Sequence, residues 1–553
     1  MLPVRKETQS LLTSDGTRLD ADIYVPDVAG NFPVLLMRQP YGRAIASTVV
    51  YAHPRWYAAQ GYIVVIQDVR GRGSSEGEFD LFAHEVSDGG ETVAWAAALS
   101  QSTGDVGMYG FSYQGMTQLF AAAAQPPALK TLCPAMVAYD LRNDWVYEGD
   151  AFCLQASYGW AIQLAAETAR RQGHRDAYRS LYTAARTPLS ADPVCARSAL
   201  LNQLAPESFY HDWLNPPSED YWQQRSPQHY IAAIAQMDLP MLHIGGWYDT
   251  YMRGTLRLYQ DIVSRCSQPQ HLWIGPWPHI PWGRRVGDLD FGPEAVSPID
   301  RLQLRWFDQL LKGKASGILK DEPVRLFDMG RNRWRSHPQF PSSEPIAYWL
   351  TSDGLAGISE ASGALTLQQP STPATDIIVH DPWRPVPTIG GHAVFPAGPF
   401  DRSAVDSRAD VLTYTLRLEA SLTITGVAIA HLCCQADAPS FDICTVLSDV
   451  HPDGKVYPIA QGYRRVEDHS RQVIEVTLQP TSAYVAAGHQ LRLSVSGACF
   501  PAYPVNPGTG EALAEGRLME ARVVTISVDV EGQSWVALPV VAESGESVVR
   551  SQG

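Results

Sequence analysis

The sequence predicts an α/β fold in its first part, interrupted by a helical insertion, and an all-β domain in its last part. Three observations support this prediction. Short, continuous apolar runs alternate with helical patterns up to about residue 143, which is typical of a doubly wound parallel sheet. A stretch rich in Ala, Gln and Arg then lacks a repeated strand pattern. From about residue 322, short alternating segments are separated by Pro, Gly and Asp turns.

Length and composition exclude several classes of protein. The 553 residues are enough for about three or four domains, and 45% hydrophobic with 18% charged residues is the composition of a globular chain. The net charge of −15, without a block of like charges, argues against nucleic-acid binding, and no apolar run reaches the roughly 18 residues of a membrane span. The N-terminus lacks the apolar core of a signal peptide, and the eight cysteines form no Cys-x-x-Cys pair. We therefore expect a soluble, cytoplasmic protein that binds neither nucleic acid nor membranes.

The first elements follow from local pattern. A hairpin is predicted over residues 8–26, because an Asp-Gly turn separates alternating apolar positions. Apolar runs at 32–37 and 61–66 predict parallel strands, with a helix over 51–60 between them. A helix over 87–98 then leads into the next strand, so the pattern is that of a sheet whose ligands bind beyond the carboxyl ends of the strands.

The most informative turn follows the apolar run 106–109 and precedes a helical pattern. It reads Gly110-Phe-Ser112-Tyr-Gln-Gly115. A serine on such a strand-to-helix turn projects its hydroxyl where a base can reach it, and the glycines remove Cβ atoms that would collide. The Tyr113 amide lies near the helix start and can donate to a developing oxyanion. The same turn also fits an ordinary capping serine, so both interpretations remain open at this point.

A serine nucleophile needs a base, usually a histidine oriented by a carboxylate. Two later strands end at Asp249 and His279, which gives the chain order Ser, Asp, His that this architecture requires. His243 and His271 lie within or before their strands, and we interpret them as structural. A single Asp or His in a loop is more often solvated or a helix cap. Ser112, Asp249 and His279 occur in the required order, and each comes just after a strand. Together they favour a catalytic triad.

Tyr41 follows an early strand, at the position where the second oxyanion donor would lie. Its phenol can donate a hydrogen bond, although a packing tyrosine in a Pro-Tyr-Gly turn fits the position equally well. The nearby run from Asp68 to Gly73 has the wrong glycine spacing for a phosphate loop, so we interpret it as an ion-pair and turn element.

Several motifs together resemble the cocaine esterase / X-Pro dipeptidyl peptidase family of serine hydrolases. They are Pro40-Tyr-Gly-Arg, Gln67-Asp-Val-Arg-Gly-Arg-Gly-Ser-Ser-Glu-Gly, Gly110-Phe-Ser-Tyr-Gln-Gly, Gly246-Trp-Tyr-Asp, Gly275-Pro-Trp-Pro-His, Pro387-Thr-Ile-Gly-Gly, Asp449-Val-His-Pro-Asp-Gly and Asn506-Pro-Gly-Thr-Gly-Glu. These motifs extend over nearly the whole chain. The late second glycine of the serine turn fits the Gly-x-Ser-Tyr-x-Gly form of this family.

The resemblance implies an α/β-hydrolase sheet with an inserted helical cap and a C-terminal all-β jelly-roll domain. We expect the hydrolase domain at 1–143 and 239–340, the cap at 144–238, and a galactose-binding-like jelly roll at 341–553. Carried over residue by residue, the resemblance implies the following roles: Ser112 as nucleophile, His279 as base, Asp249 as its orienter, and the Tyr41 hydroxyl with the Tyr113 amide as the oxyanion hole.

The resemblance also implies an aromatic acyl pocket at Trp145, Trp160, Tyr251 and Phe395, although plain packing would explain these residues as well. Tyr251 stands where the family pattern has a phenylalanine, so the pocket is expected to be more polar. Relatives that cleave α-amino-acid esters carry acidic residues directly after the catalytic aspartate. The segment from Thr250 to Arg253 has none, which argues against an amine-bearing substrate.

The expected function is hydrolysis of carboxylic esters with an apolar or aromatic acyl group, through an acyl-enzyme and without a metal or cofactor. The expected partner is a small-molecule ester. One alternative is an acylase or X-Pro dipeptidyl peptidase that cleaves amide bonds. A remote alternative is a non-catalytic protein whose jelly roll binds a glycan. The sequence leaves the oligomeric state open, a homo-oligomer included.

Overall fold

The computed structural model describes residues 1–45, 48–186, 194–512, 516–530 and 532–541, and a large mixed sheet organises the first part of the chain. The strands that precede residue 340 in the described ranges are β1 (Val4–Leu12), β2 (Arg18–Pro26), β3 (Phe32–Gln39), β4 (Ile63–Asp68), β5 (Ser102–Phe111), β6 (Leu129–Ala135), β7 (Tyr147–Glu148), β8 (Ala151–Phe152), β9 (Met241–Tyr248), β10 (Gln270–Pro278), β11 (Arg285–Val286), β12 (Leu289–Asp290), β13 (Val324–Asp328) and β14 (Arg333–His337).

Ten of these strands form one sheet in the order β1-β2-β4-β3-β5-β6-β9-β10-β13-β14. The strands from β4 to β13 run parallel, and antiparallel strands close both edges. Every residue of β4, β9 and β10 is buried, because elements pack on both faces of the sheet. The predicted doubly wound α/β fold is confirmed.

Helices cover the two faces of this sheet. The α-helices of the described residues are α1 (Pro54–Ala58), α2 (Glu85–Ala97), α3 (Tyr113–Ala123), α4 (Leu154–Arg171), α5 (Arg175–Ala184), α6 (Ala199–Leu204), α7 (Phe209–Leu214), α8 (Tyr221–Gln224), α9 (Ile231–Gln236), α10 (Met252–Arg265), α11 (Ile299–Leu311) and α12 (Ser403–Asp406). Side chains of α2, α3 and α10 join the core on one face, and those of α1 and α11 join the core on the other. None of the helices in the described ranges is long and apolar enough to cross a membrane.

The insertion between β6 and β9 carries α4 to α9, and it agrees with the helical pattern expected there. It also contains the hairpin of β7 and β8, which the sequence did not predict. Each of these two strands is only two residues long, so they are too short to produce a recognisable alternation.

The last part of the chain is rich in strands. They are β15 (Ile346–Thr351), β16 (Ala364–Thr366), β17 (Thr375–His380), β18 (Val411–Arg417), β19 (Leu422–Gly426), β20 (Ile429–Ala436), β21 (Phe441–Val450), β22 (Val456–Val466), β23 (Gln472–Thr477), β24 (Thr481–Val485), β25 (Gln490–Ser496), β26 (Val524–Asp529) and β27 (Trp535–Leu538). Their pairing is mostly antiparallel, as expected for an all-β domain.

The strands β13 and β14 lie after the point where the sequence becomes strand-rich, yet they extend the first sheet. We therefore propose that the seam between the two domains follows β14, near residue 340. The carboxyl ends of β3, β5, β9 and β10 meet at one edge of the first sheet, and this edge carries Tyr41, Ser112, Asp249 and His279.

The first testable prediction concerns Gly115 in α3. A Cβ there would lie 2.4 Å from Val137 Cγ1 and 2.9 Å from the Ala135 carbonyl oxygen, closer than real Cβ contacts. Gly115→Ala should therefore destabilise the protein by about 1–3 kcal/mol, because the strand and helix must move apart. Gly159 in α4 is the matched control, since its Cβ would meet nothing within 4 Å.

Thermal unfolding of the two variants, under identical conditions, checks this prediction. Gly159→Ala should leave the melting temperature equal or slightly higher, because alanine is the better helix former. Equal melting temperatures for Gly115→Ala and the unmodified protein would show that close packing does not require this glycine.

Candidate active site

Ser112 lies on a strained turn between β5 and α3. Its backbone φ of 61° and ψ of −129° are unusual for a residue other than glycine. The Ser112 amide donates to the carbonyl oxygens of Ala135 (2.9 Å) and Met136 (3.2 Å), which hold the turn in place. Gly110 has a φ of 148°, and a Cβ there would lie 2.5 Å from Gln114 Cβ. These constraints keep the serine at the tip of the turn, as in a nucleophile elbow.

His279 and Asp249 form a hydrogen-bonded pair beside this turn. His279 Nδ1 lies 2.7 Å from Asp249 Oδ1. The Asp249 carboxylate is fully buried, whereas the His279 side chain is 28% exposed. Because an ionised carboxylate can only accept, Nδ1 carries the proton and Nε2 remains an acceptor. The imidazole ring lies 5.3 Å from the ring of Phe111, the residue directly before Ser112.

Tyr41 is oriented by a neighbour that can only donate. The Trp160 indole Nε1 donates to the Tyr41 hydroxyl oxygen at 3.1 Å. An indole N–H has no acceptor function, so the phenolic proton of Tyr41 is free for another acceptor. Burial raises the pKa of Tyr41 to about 12, and hydrogen bonds with Trp160 and Ser112 partly offset this effect. The phenol therefore stays protonated at neutral pH, next to the serine.

The Tyr113 amide is the second candidate donor. Tyr113 is the first residue of α3, and the first N–H groups of a helix have no acceptor within the helix. The helix dipole places partial positive charge at this end. The side chain of Tyr113 points elsewhere, since its hydroxyl donates to Glu85 Oε1 at 2.9 Å. Only the backbone of Tyr113 is thus available to an oxyanion.

A buried guanidinium adds positive charge to this region. Arg72 is 3% exposed, donates to the Leu164 carbonyl and the Thr168 hydroxyl, and lies 3.9 Å over the Phe79 ring. Burial lowers the pKa of Arg72 to about 10, so the group remains cationic at neutral pH. Its charge in turn lowers the pKa of Tyr41. This charge favours an anion and disfavours a cation near the tyrosine.

The loop that carries Tyr41 is held by an ion pair. The Tyr41 amide donates to Gln39 Oε1, and Arg43 contacts the buried Asp68 carboxylate through its backbone N–H (2.6 Å) and its guanidinium (2.5 Å). A Cβ at Gly73 would lie 1.9 Å from Asp68 Oδ2, so the turn closes tightly on this carboxylate. The role of Asp68 in this structure is to position the loop.

Three of the four aromatic residues expected in the acyl pocket lie together. The Trp145 ring lies 4.8 Å from the rings of both Trp160 and Tyr251. Tyr251 in turn contacts the His279 ring at 4.9 Å. Phe395 differs, because its side chain is 75% exposed and no ring contact joins it to the other three. The backbone of Phe395 is bound to the Gln155 side chain of α4, so it lies at the rim of the cap.

Sequence reasoning missed a buried polar network behind this cluster. Glu148 Oε2 lies 2.8 Å from His392 Nε2, the Tyr503 hydroxyl and Arg253 NH1. Burial alone would raise the pKa of Glu148, but Arg253 and His392 more than offset this effect and hold the pKa well below its usual range. These residues come from four distant segments, so no local pattern could have indicated the network.

Gln479 is a second residue that the sequence did not indicate. Its amide Nε2 donates to the Asp249 backbone carbonyl at 2.5 Å, and both groups are buried. Gln479 belongs to the C-terminal domain, so that domain helps to hold the residue that orients His279. Asp249 Oδ2 has no hydrogen-bond partner in the described part of the chain. We propose that Ser112, His279 and Asp249 form a catalytic triad with Tyr41 and the Tyr113 amide as the oxyanion hole.

Two family models and a known esterase match this chain. The family model for the X-Pro dipeptidyl-peptidase (S15 family) matches residues 15–281, and the model for the X-Pro dipeptidyl-peptidase C-terminal non-catalytic domain matches 316–534. The chain is 30% identical to a cocaine esterase of Rhodococcus sp. (strain MB1 Bresler), over 95% of this chain and 97% of that protein.

Two solved structures are similar over nearly their whole length. An aminopeptidase from a marine sediment Thaumarchaeota archaeon has a TM-score of 0.80 and 23% identity, with 98% of this chain and 97% of that chain covered. An α-amino acid ester hydrolase has a TM-score of 0.77 and 22% identity, with the same coverage of both chains. At these identities, the similarity to the two structures shows the fold alone.

The geometry of the turn predicts where a fluorophosphonate will react. The reagent should bond covalently to Ser112, and His279→Ala should slow labelling by about 100- to 10,000-fold, because the base is lost. Mass spectrometry of the labelled peptide checks the position. Ser157 should stay unlabelled and serves as the control, since it is a buried serine whose hydroxyl has no hydrogen-bond partner in the described part of the chain. Labelling that persists in Ser112→Ala would show that another residue is the nucleophile.

Proposed function

Because this chain belongs to the X-Pro dipeptidyl-peptidase S15 / cocaine esterase family and is therefore a serine hydrolase, we propose that it cleaves carboxylic esters with an apolar or aromatic acyl group. The observation that carries the proposal is the cluster of Trp145, Trp160 and Tyr251 between the Tyr41 hydroxyl and the His279 ring. An acyl group bound at Ser112 would face these rings.

The proposed reaction has two steps. In the first, His279 Nε2 takes the Ser112 proton while the serine oxygen attacks the ester carbonyl, and the alcohol leaves with that proton. In the second, His279 activates a water molecule that attacks the acyl-enzyme and releases the acid. The Asp249 carboxylate stabilises the imidazolium that forms in each step.

The negative oxygen of each tetrahedral intermediate needs donors that are already oriented. The Tyr41 hydroxyl is one of them. Trp160 donates to its oxygen, so the phenolic proton remains available for the oxyanion. The Tyr113 amide is the other. The Arg72 charge supports both donors, since it favours the anionic intermediate over the neutral ester.

The surrounding charges argue against a substrate with a free ammonium group. Glu148 is the buried carboxylate three residues after Trp145, and Arg253 and His392 already neutralise it. Binding an ammonium there would require breaking a buried ion pair, which is costly. The positive charge of Arg72 further disfavours a cation. This arrangement favours neutral acyl groups over α-amino acids and over peptides with a free N-terminus.

A parallel rate screen tests the proposed substrate class. We expect the highest kcat/KM on p-nitrophenyl benzoate, a lower value on p-nitrophenyl acetate, and little turnover of an α-amino-acid ester or an X-Pro p-nitroanilide. Ser112→Ala should lower kcat by about 10⁴ to 10⁶. Preference for the amino ester or the anilide would overturn the substrate class while retaining the triad. Absence of Ser112-dependent turnover on all four, with glycan binding intact, would favour a binding protein.

Tyr41→Phe tests the oxyanion hole. This change removes one donor and should lower kcat by about 10²- to 10³-fold. Because burial raises the pKa of Tyr41 to about 12, the phenol keeps its proton up to about pH 11. The ratio of the two rates should therefore stay constant from pH 7 to pH 10.

The control for this prediction is Tyr109→Phe, which removes a different buried hydroxyl. Unlike that of Tyr41, the Tyr109 hydroxyl has no hydrogen-bond partner in the described ranges. This change should leave kcat unchanged within a factor of about two, because the hydroxyl serves no reacting atom. A loss of less than tenfold in Tyr41→Phe would indicate that Tyr41 only packs against Trp160.

A further inference from the structure

A second cluster of chemically active side chains lies in the C-terminal domain, outside the proposed active site. Asp449 is the next-to-last residue of β21, and His451 is the first residue after this strand. The strand β25 pairs with β21 in a register that sets Val450 opposite Gln490. His451 directly follows this last pair and His489 directly precedes it, and their rings lie 4.6 Å apart. Three residues of metal-ligating types thus converge at the ends of two neighbouring strands.

The distances within the cluster fit a bound cation. His489 Nδ1 lies 2.8 Å from Asp449 Oδ1, and His451 Nε2 lies 3.3 Å from Asp449 Oδ2. One ligand atom from each residue lies within 4.8 Å of both others. Two ligands bound at about 2.0–2.1 Å to a tetrahedral ion are separated by about 3.4 Å. Small side-chain rotations would therefore bring all three atoms into coordination distance.

The cluster lines a partly open cavity at the surface of the domain. This cavity has a volume of about 190 Å³, and its lining includes the three ligands together with Tyr248, Phe291 and Tyr484. The side chains of Asp449, His451 and His489 are only 16%, 31% and 21% exposed. The space leaves room for a water molecule or a small anion at a remaining coordination position.

Two imidazole rings share the Asp449 carboxylate. Their centroids lie 4.6 Å apart, and one nitrogen of each ring faces an Asp449 oxygen. A bound ion would replace the protons that these nitrogens carry. Imidazole nitrogens favour first-row transition metals over Ca²⁺ or Mg²⁺, which prefer oxygen ligands.

We propose that Asp449, His451 and His489 bind a divalent first-row transition metal, for which Zn²⁺ is the representative ion. We assign the site a structural role, because the lining of its cavity includes none of Ser112, Asp249 and His279. It adjoins Tyr248, the residue before Asp249, whose hydroxyl donates to the Pro458 carbonyl across the seam between the domains. A bound ion would hold the β21 and β25 turns against this seam.

Zn²⁺ titration of the full-length protein tests the proposal. After chelator treatment and dialysis, calorimetry should give one ion per chain at the strongest site, and the melting temperature should rise with Zn²⁺ concentration. His451→Ala and His489→Ala should each weaken this site by about 100-fold or more. Co²⁺ bound to the unmodified protein should show visible absorption, which both variants lose.

The matched control is His431→Ala. His431 lies in the same domain and pairs with Glu475 at 3.4 Å, but it belongs to no three-ligand cluster among the residues that the structure describes. The His431→Ala variant should bind Zn²⁺ as tightly as the unmodified protein does. Weak Zn²⁺ sites elsewhere on the surface are present in all variants, so they cancel in this comparison. His489→Gln keeps a donor toward Asp449 and replaces His489→Ala if that variant does not fold. Equal Zn²⁺ binding in all variants, or no strong site in the unmodified protein, would overturn the proposal.

Discussion

The hydrogen bond between His279 Nδ1 and the buried Asp249 carboxylate is the interaction on which the proposed chemistry depends. It selects one tautomer of the imidazole and leaves Nε2 as the base. A buried carboxylate is costly unless its oxygens are paired, and Asp249 Oδ2 has no partner in the described part of the chain. The imidazole satisfies one carboxylate oxygen, while Gln479 from the C-terminal domain binds the backbone of the same aspartate. Residues of both domains therefore hold Asp249 in place.

The same dependence on several domains recurs around the site. Trp160 comes from the cap and fixes the direction in which Tyr41 can donate. Glu148 comes from the cap as well, and its partners Arg253 and His392 come from the first sheet's α10 and the C-terminal domain. A site assembled in this way is sensitive to how the domains pack. This sensitivity gives a physical reason why a non-catalytic domain accompanies the hydrolase sheet.

Electrostatics and packing select different properties of the substrate. The helix end at Tyr113 and the Arg72 charge favour a negative intermediate, which every acyl transfer by serine requires. The aromatic cluster and the neutralised Glu148 favour an uncharged acyl group. The first set of features supports the reaction type, and the second supports the proposed preference among substrates. A relative with a free carboxylate at the Glu148 position could keep the reaction and accept a different acyl group.

The sequence by itself determined the α/β fold, the helical insertion and the strand-rich C-terminal part, because periodicity and turn residues are local signals. It also indicated that Ser112, Asp249 and His279 follow strands of one parallel sheet, and the carboxyl ends of such strands meet at a common edge. Their catalytic roles stay a prediction. Only the tertiary structure decided what surrounds them. It separated the exposed Phe395 from the cluster of Trp145, Trp160 and Tyr251, and it joined Glu148 to Arg253 and His392. The contacts of Glu148 link residues 105 and 244 positions apart, and they depend on how domains pack, which no local pattern encodes.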